Sequence, residues 1–151
     1  MRIKEIKAPI FIFKLPDMKD KVISAIESMG THSLIDNTQQ ISNSDWHLTK
    51  EFGRPYFDII ESKILECCVE VSETLKSNLL IIDNFWFQQY ENGDWHNWHH
   101  HGNCTFSSVY YVELPEQTST TFDYMGNESQ LDVNEGDFII FPSYLKHCSK
   151  A

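Results

Sequence analysis

The 151-residue sequence predicts one α+β domain in which helices pack on a curved β-sandwich or barrel. Helical periodicity dominates the first half of the chain, up to about residue 78. From residue 79 onward, short β-prone runs alternate with turn residues, and this part forms the barrel core. Hydrophobic residues make up 41% of the chain and aromatic residues 13%, enough for one real core.

The elements follow in order. Ile3 to Leu15 reads as a strand pair or extended arm, with Ile10-Phe11-Ile12-Phe13 its β-prone run. A helix opens at Pro16-Asp17, with Asp17 as cap, and stops near Met29 before Gly30. Residues 31–50 are polar and read as a long surface loop. From Pro55 to Lys76, the residues Phe57, Ile60, Ile64, Cys67 or Cys68, Val71 and Leu75 recur at three and four, giving a helix with one buried stripe. Strands are expected at residues 79–82, 85–87, 106–114, 119–124, 130–133 and 138–141. Between them lie the turn residues Asn92-Gly93, Pro115-Glu116, Gly126-Asn127 and Asn134-Glu135-Gly136-Asp137.

Charge and cysteine usage narrow the function. A net charge of −10 argues against a nucleic-acid surface, which needs cations to neutralise phosphates. Arg2 and Arg54 are the only arginines, so fork-like anion sites are scarce. Cys67, Cys68, Cys104 and Cys148 follow no disulfide or C-x-x-C spacing, and Met1-Arg2-Ile3-Lys4-Glu5 lacks the apolar core of a signal peptide. A reducing cytoplasm, with no membrane partner, is the expected setting.

Chemistry concentrates in Trp95-His96-Asn97-Trp98-His99-His100-His101 and in His147, which follows a strand–turn element late in the chain. In a regular strand His99 and His101 project from one face, where both can grip one ion. With His147 they form a three-imidazole set suited to iron, zinc, copper or nickel, with ring nitrogens expected about 2–2.3 Å from the metal and positions left open for substrate or oxygen. His96 and His100 are expected on the opposite face, as entrance or supporting residues. His32 and His47, in the polar segment, read as solvated.

Several stretches resemble one family. Phe85-Trp86-Phe87-Gln88-Gln89-Tyr90-Glu91-Asn92-Gly93, the following H-x-H, and Phe106-Ser107-Ser108-Val109-Tyr110-Tyr111-Val112 are similar to 2-oxoglutarate/iron(II)-dependent oxygenases. These are the prolyl-hydroxylase-like proteins of marine bacteria and their phages. Glu135 through His147 resembles their distal-histidine motif, and Ile41-Ser42-Asn43-Ser44-Asp45-Trp46 resembles the motif before their long helix. The resemblance covers residues from about 40 to 151.

It implies a double-stranded β-helix, a jelly-roll or cupin-like barrel, with the N-terminal helices on one face. It also implies an iron(II) dioxygenase that uses O2 and 2-oxoglutarate to hydroxylate a small-molecule, peptide or protein substrate in a bacterial or phage-infected cytoplasm. His99, His101 and His147 match the metal positions, and Tyr90 and Tyr111 match tyrosines of the cosubstrate pocket.

The sequence departs from that pattern twice. The family's usual H-x-D is H-x-H here, and a carboxylate such as Asp94 or Asp123 would complete the set instead, although neither has the usual spacing. The strand beyond the distal histidine, whose arginine would pair with the cosubstrate, is absent, leaving Lys146 or Lys150 as a point charge. The chain is therefore expected to bind iron(II) better than 2-oxoglutarate, either as a shortened form of a longer enzyme or because its cosubstrate pocket is incomplete. Two other readings stand beside the oxygenase. One is a cupin-like metalloprotein, on Gly93, His99-x-His101, Gly136, Pro142 and His147; the other is a non-catalytic barrel module.

Overall fold

The run Phe138-Ile139-Ile140-Phe141 sends alternate side chains into two different cores, and this alternation organises the molecule. The computed structural model describes residues 8–30, 32–49, 51–114 and 119–150. In chain order these form β1 (Phe11–Lys14), α1 (Lys19–Glu27), β2 (Leu34–Ile35), β3 (Gln39–Ile41), β4 (Asn43–Ser44) and α2 (Pro55–Leu75). They continue with β5 (Gln88–Gln89), β6 (Trp95–His99), β7 (Phe106–Tyr110), β8 (Thr121–Tyr124), β9 (Asn127–Gln130), β10 (Asp137–Pro142) and β11 (Lys146–Lys150).

Three antiparallel sheets result, ordered β1-β10-β7, β2-β3-β6-β11-β8-β9 and β4-β5. Phe138 and Ile140 face α2, meeting Phe57, Ile60, Ile64 and Val71 in one core. Ile139 and Phe141 face the larger sheet, meeting Tyr111, Phe122, Val133 and Leu145 in the second. The architecture is thus mixed α+β, two helices with mainly antiparallel sheets, compatible with a β-sandwich that carries helices on one outer face. Among the described residues, no helix is long and apolar enough to cross a membrane.

Helix α2 matches the expected stripe, with Pro55 in its first turn and Lys76 at its end in a left-handed conformation, φ 51°. Leu75 is the exception, exposed at the last turn. Helix α1 is shorter than expected, and an Asp17 carboxylate oxygen accepts a bond from the Lys19 N–H at 3.2 Å near its start. The expected N-terminal strand reduces to β1, and residues 3–7 lie outside those described.

Four expectations need correction. Within residues 31–50 lie three short strands rather than one surface loop, and Ile41, Ser44 and Asp45 are buried. The division at residue 78 does not separate helices from sheet, because β1 pairs with β10 and β3 with β6. Residues 79–82 and 85–87 form no strand; Leu80 and Ile82 pack on the helical core while Leu79 and Ile81 face solvent. The Leu80 N–H donates instead to the Ser72 hydroxyl of α2, at 2.9 Å, so a side chain holds this stretch where a ladder was expected. Finally, the strand placed at 130–133 begins at Asn127. The two-residue turn Met125-Gly126 has positive φ at both positions and fixes the register Tyr124↔Asn127.

Candidate metal centre

The expected imidazole trio converges. Strand β11 lies between β6 and β8 and places His147 directly opposite His99. Ring centroids of His99 and His147 are 4.2 Å apart, those of His99 and His101 5.1 Å, and those of His101 and His147 5.2 Å. One ring nitrogen from each lies within 4.8 Å of the others, and among the described residues this is the one such group.

Backbone carbonyls orient two of the rings. His99 Nδ1 lies 2.7 Å from the Asn97 carbonyl and His147 Nδ1 lies 2.9 Å from the Leu145 carbonyl. A carbonyl only accepts, so each neutral ring carries its proton on Nδ1 and leaves Nε2 with a lone pair for a metal. The floor is apolar: His147 is 5% exposed, and the Phe141 and Phe122 rings lie 5.0 Å and 5.9 Å from it.

This burial keeps the imidazoles neutral. It pushes His147 down to about 4, against the Leu145 bond and with the neighbouring histidines adding to the shift. Burial likewise lowers His99, opposed by the Asn97 carbonyl, and lowers His101, helped by His99 and His100. The chemistry of the site is therefore three preformed neutral nitrogen donors around one small volume. That set fits a divalent first-row metal.

The carboxylates offered as completing ligands point elsewhere. Asp94 Oδ2 accepts bonds from the Ser42 N–H, the Ser42 hydroxyl and the Glu91 N–H, at 3.0, 2.6 and 2.8 Å. Asp123 accepts from the Gly126 N–H at 2.8 Å and faces Lys146 across the ladder, one residue out of phase with the inward Phe122. Lys146 and Lys150 also alternate from His147 along β11 and are exposed; Lys146 Nζ sits 5.3 Å from the Trp98 ring centroid and Lys150 lines a cavity with Trp95, His96, Trp98 and Cys148.

The two tyrosines have partners of their own. The Tyr90 hydroxyl donates to Gln88 Oε1 at 2.7 Å and also bonds Ser149; burial raises it to about 12. The Tyr111 hydroxyl donates to Thr120 Oγ1 at 2.9 Å, and its ring belongs to the Phe122–Phe141 cluster beneath His147.

His100 is exposed and lines, with His101, a cavity of about 510 Å³ whose other walls include Leu75, Cys104, Phe106 and Tyr144. His32 and His47 are exposed, with ring centroids 4.3 Å apart.

Three features were not visible in the sequence. His96 shares the face of His99, contrary to the alternation expected of a regular strand, and their rings stack at 3.8 Å. Trp86 stands 6.2 Å from His101 and meets Trp46 edge-on at 4.3 Å. Asp45 is a buried hub, accepting from Arg54 Nε, the Tyr56 hydroxyl and the Phe87 N–H. Only the closeness of Asp45, Arg54 and Tyr56 in sequence hinted at it. No family model and no curated protein matches the chain.

Proposed function

We propose that this chain is a mononuclear iron(II) oxygenase of the 2-oxoglutarate-dependent kind, built on a double-stranded β-helix. The observation that carries the reading is the convergence of His99, His101 and His147 from β6, its C-terminal extension and β11. The strand order supports the barrel. β6, β8, β9 and β11 lie in the six-stranded sheet while β7 and β10 cross to the three-stranded one, with β6 beside β11 and β7 beside β10, an order compatible with a jelly roll.

Bound iron(II) with O2 and 2-oxoglutarate would supply C–H hydroxylation, with succinate and CO2 as coproducts. The chain's own residues would do the rest. His99 and His147 present Nε2 because Asn97 and Leu145 hold their Nδ1 protons. Phe122 and Phe141 keep water from the rear of His147. The 510 Å³ cavity at His101 gives a substrate access from the other side, and Phe106 and Pro142 give it apolar walls.

The described residues fit the metal better than the cosubstrate. A buried carboxylate needs a cation, yet Arg54 is committed to Asp45, and Lys146 and Lys150 are exposed. This observation favours a second reading, a cupin-like three-histidine metalloprotein that works without the cosubstrate. Incubating the iron(II)-loaded chain with 2-oxoglutarate and O2, and measuring succinate, separates them. The oxygenase reading expects metal-dependent succinate that disappears in His147→Gln. Intact metal binding with no succinate favours the second.

A further inference from the structure

The strand that carries His99 holds one residue more than the strand opposite it. Between the pairs Ser149↔His96 and His147↔His99, β11 advances from 147 to 149 while β6 advances from 96 to 99. The surplus residue makes a β-bulge in β6, which resets the alternation of side chains. His96 and His99, three apart in sequence, consequently share a face. Their rings stack with centroids 3.8 Å apart and planes 17° from parallel.

Asn97 holds this irregularity in place. Its N–H donates to the Thr38 carbonyl at 2.9 Å, tying the bulge to the turn between β2 and β3. Its carbonyl accepts the His99 Nδ1 proton at 2.7 Å. The His99 ring is thus fixed at one edge by Asn97 and on one face by His96, while His147 lies 4.2 Å away at an angle of 56°.

We infer that His96 is a positioning residue for the metal site: its stacked ring sets the plane in which His99 presents Nε2, so that metal capture depends on a fourth histidine that is not a ligand. This rests on the metal reading above. Stacking excludes His96 from the ligand set on simple geometry. A ring's donor lone pairs lie in its own plane, and two nearly parallel planes separated by a ring thickness cannot both pass through one ion. What His96 provides is orientation. Residues that orient a ligating histidine typically cost 10–100-fold in metal affinity when removed.

The test is a cobalt(II) titration of the full chain, followed by visible absorbance, on the wild type, His96→Ala and His96→Phe. Phenylalanine keeps a flat ring against His99 but carries no nitrogen. The wild type is expected to take up one cobalt(II), His96→Ala to bind it about 10–100-fold more weakly, and His96→Phe to recover most of that loss with the wild-type absorption band. Wild-type affinity in His96→Ala would overturn the inference, as would a His96→Phe variant as weak as His96→Ala, because the nitrogen would then be what matters. A wild-type chain that takes up no cobalt(II) would instead sink the metal reading itself, and the inference with it.

Discussion

Asp45 and Arg54 form a buried ion pair, Nε to Oδ2 2.6 Å, with side chains 1% and 3% exposed. Arg54 also donates to the carbonyls of Asp45, Leu48 and Thr49, so one guanidinium closes the turn that leads into α2. The same carboxylate receives the Phe87 N–H, which pins the 45–46 segment to the 85–87 segment and holds Trp46 against Trp86. Burial, with the Asp45 charge adding to it, pushes the Tyr56 phenol up, so it stays a donor to that carboxylate.

Removing the cation leaves Asp45 charged and buried. Arg54→Met is expected to destabilise the chain by about 3–5 kcal/mol, read as a lower urea midpoint. A midpoint within experimental error of the wild type would mean that the Tyr56 and Phe87 donors suffice for Asp45.

The metal-free protein should weaken in mild acid. His96 and His147 fall from 6.5 to about 4 on folding, chiefly through burial. Between those values the unfolded chain binds more protons than the folded one, so their contribution is complete above about 6.5 and is lost as pH falls toward 4. Urea midpoints measured with a chelator should drop between pH 7 and pH 5, and His147→Gln should flatten the drop. A midpoint that does not move over this range would contradict the burial assigned to these rings.

Gly136 has φ +84°, and a Cβ there would lie 3.3 Å from Lys14 Nζ. Its N–H donates to the Tyr111 carbonyl and its carbonyl accepts from the Leu15 N–H, so this left-handed turn joins the end of β1 to the end of β7. Gly136→Ala should cost about 1–2 kcal/mol from the left-handed backbone alone. A thermal melt unchanged by the substitution would show that this turn relaxes freely.

Much of this was legible in the sequence because it depends on periodicity. The stripe Phe57, Ile60, Ile64, Val71 marks α2, and the apolar run Phe138 to Phe141 marks a strand, though not the two cores it divides. His99, His101 and His147 were legible as a set from their spacing and from the strand–turn element before His147. His96 was not, since a bulge adds a residue without any mark in composition. Asp45 was misjudged for a related reason: a charged residue in a polar run reads as solvated until its buried partner is seen. The apolar run 79–82 misled in the opposite way, because hydrophobicity records burial and not whether a partner strand exists.

The central claim is that His147, buried in β11, completes a metal site with His99 at the end of β6 and His101 just beyond it. An exposed histidine tract would bind metal whatever stood at position 147, so this residue separates a built site from an accidental one. The direct measurement is an anaerobic iron(II) titration of the wild type and His147→Gln. The account predicts one tightly bound iron(II) in the wild type and an affinity lower by about 10–100-fold or more in the variant. Equal affinity and stoichiometry in both would contradict it.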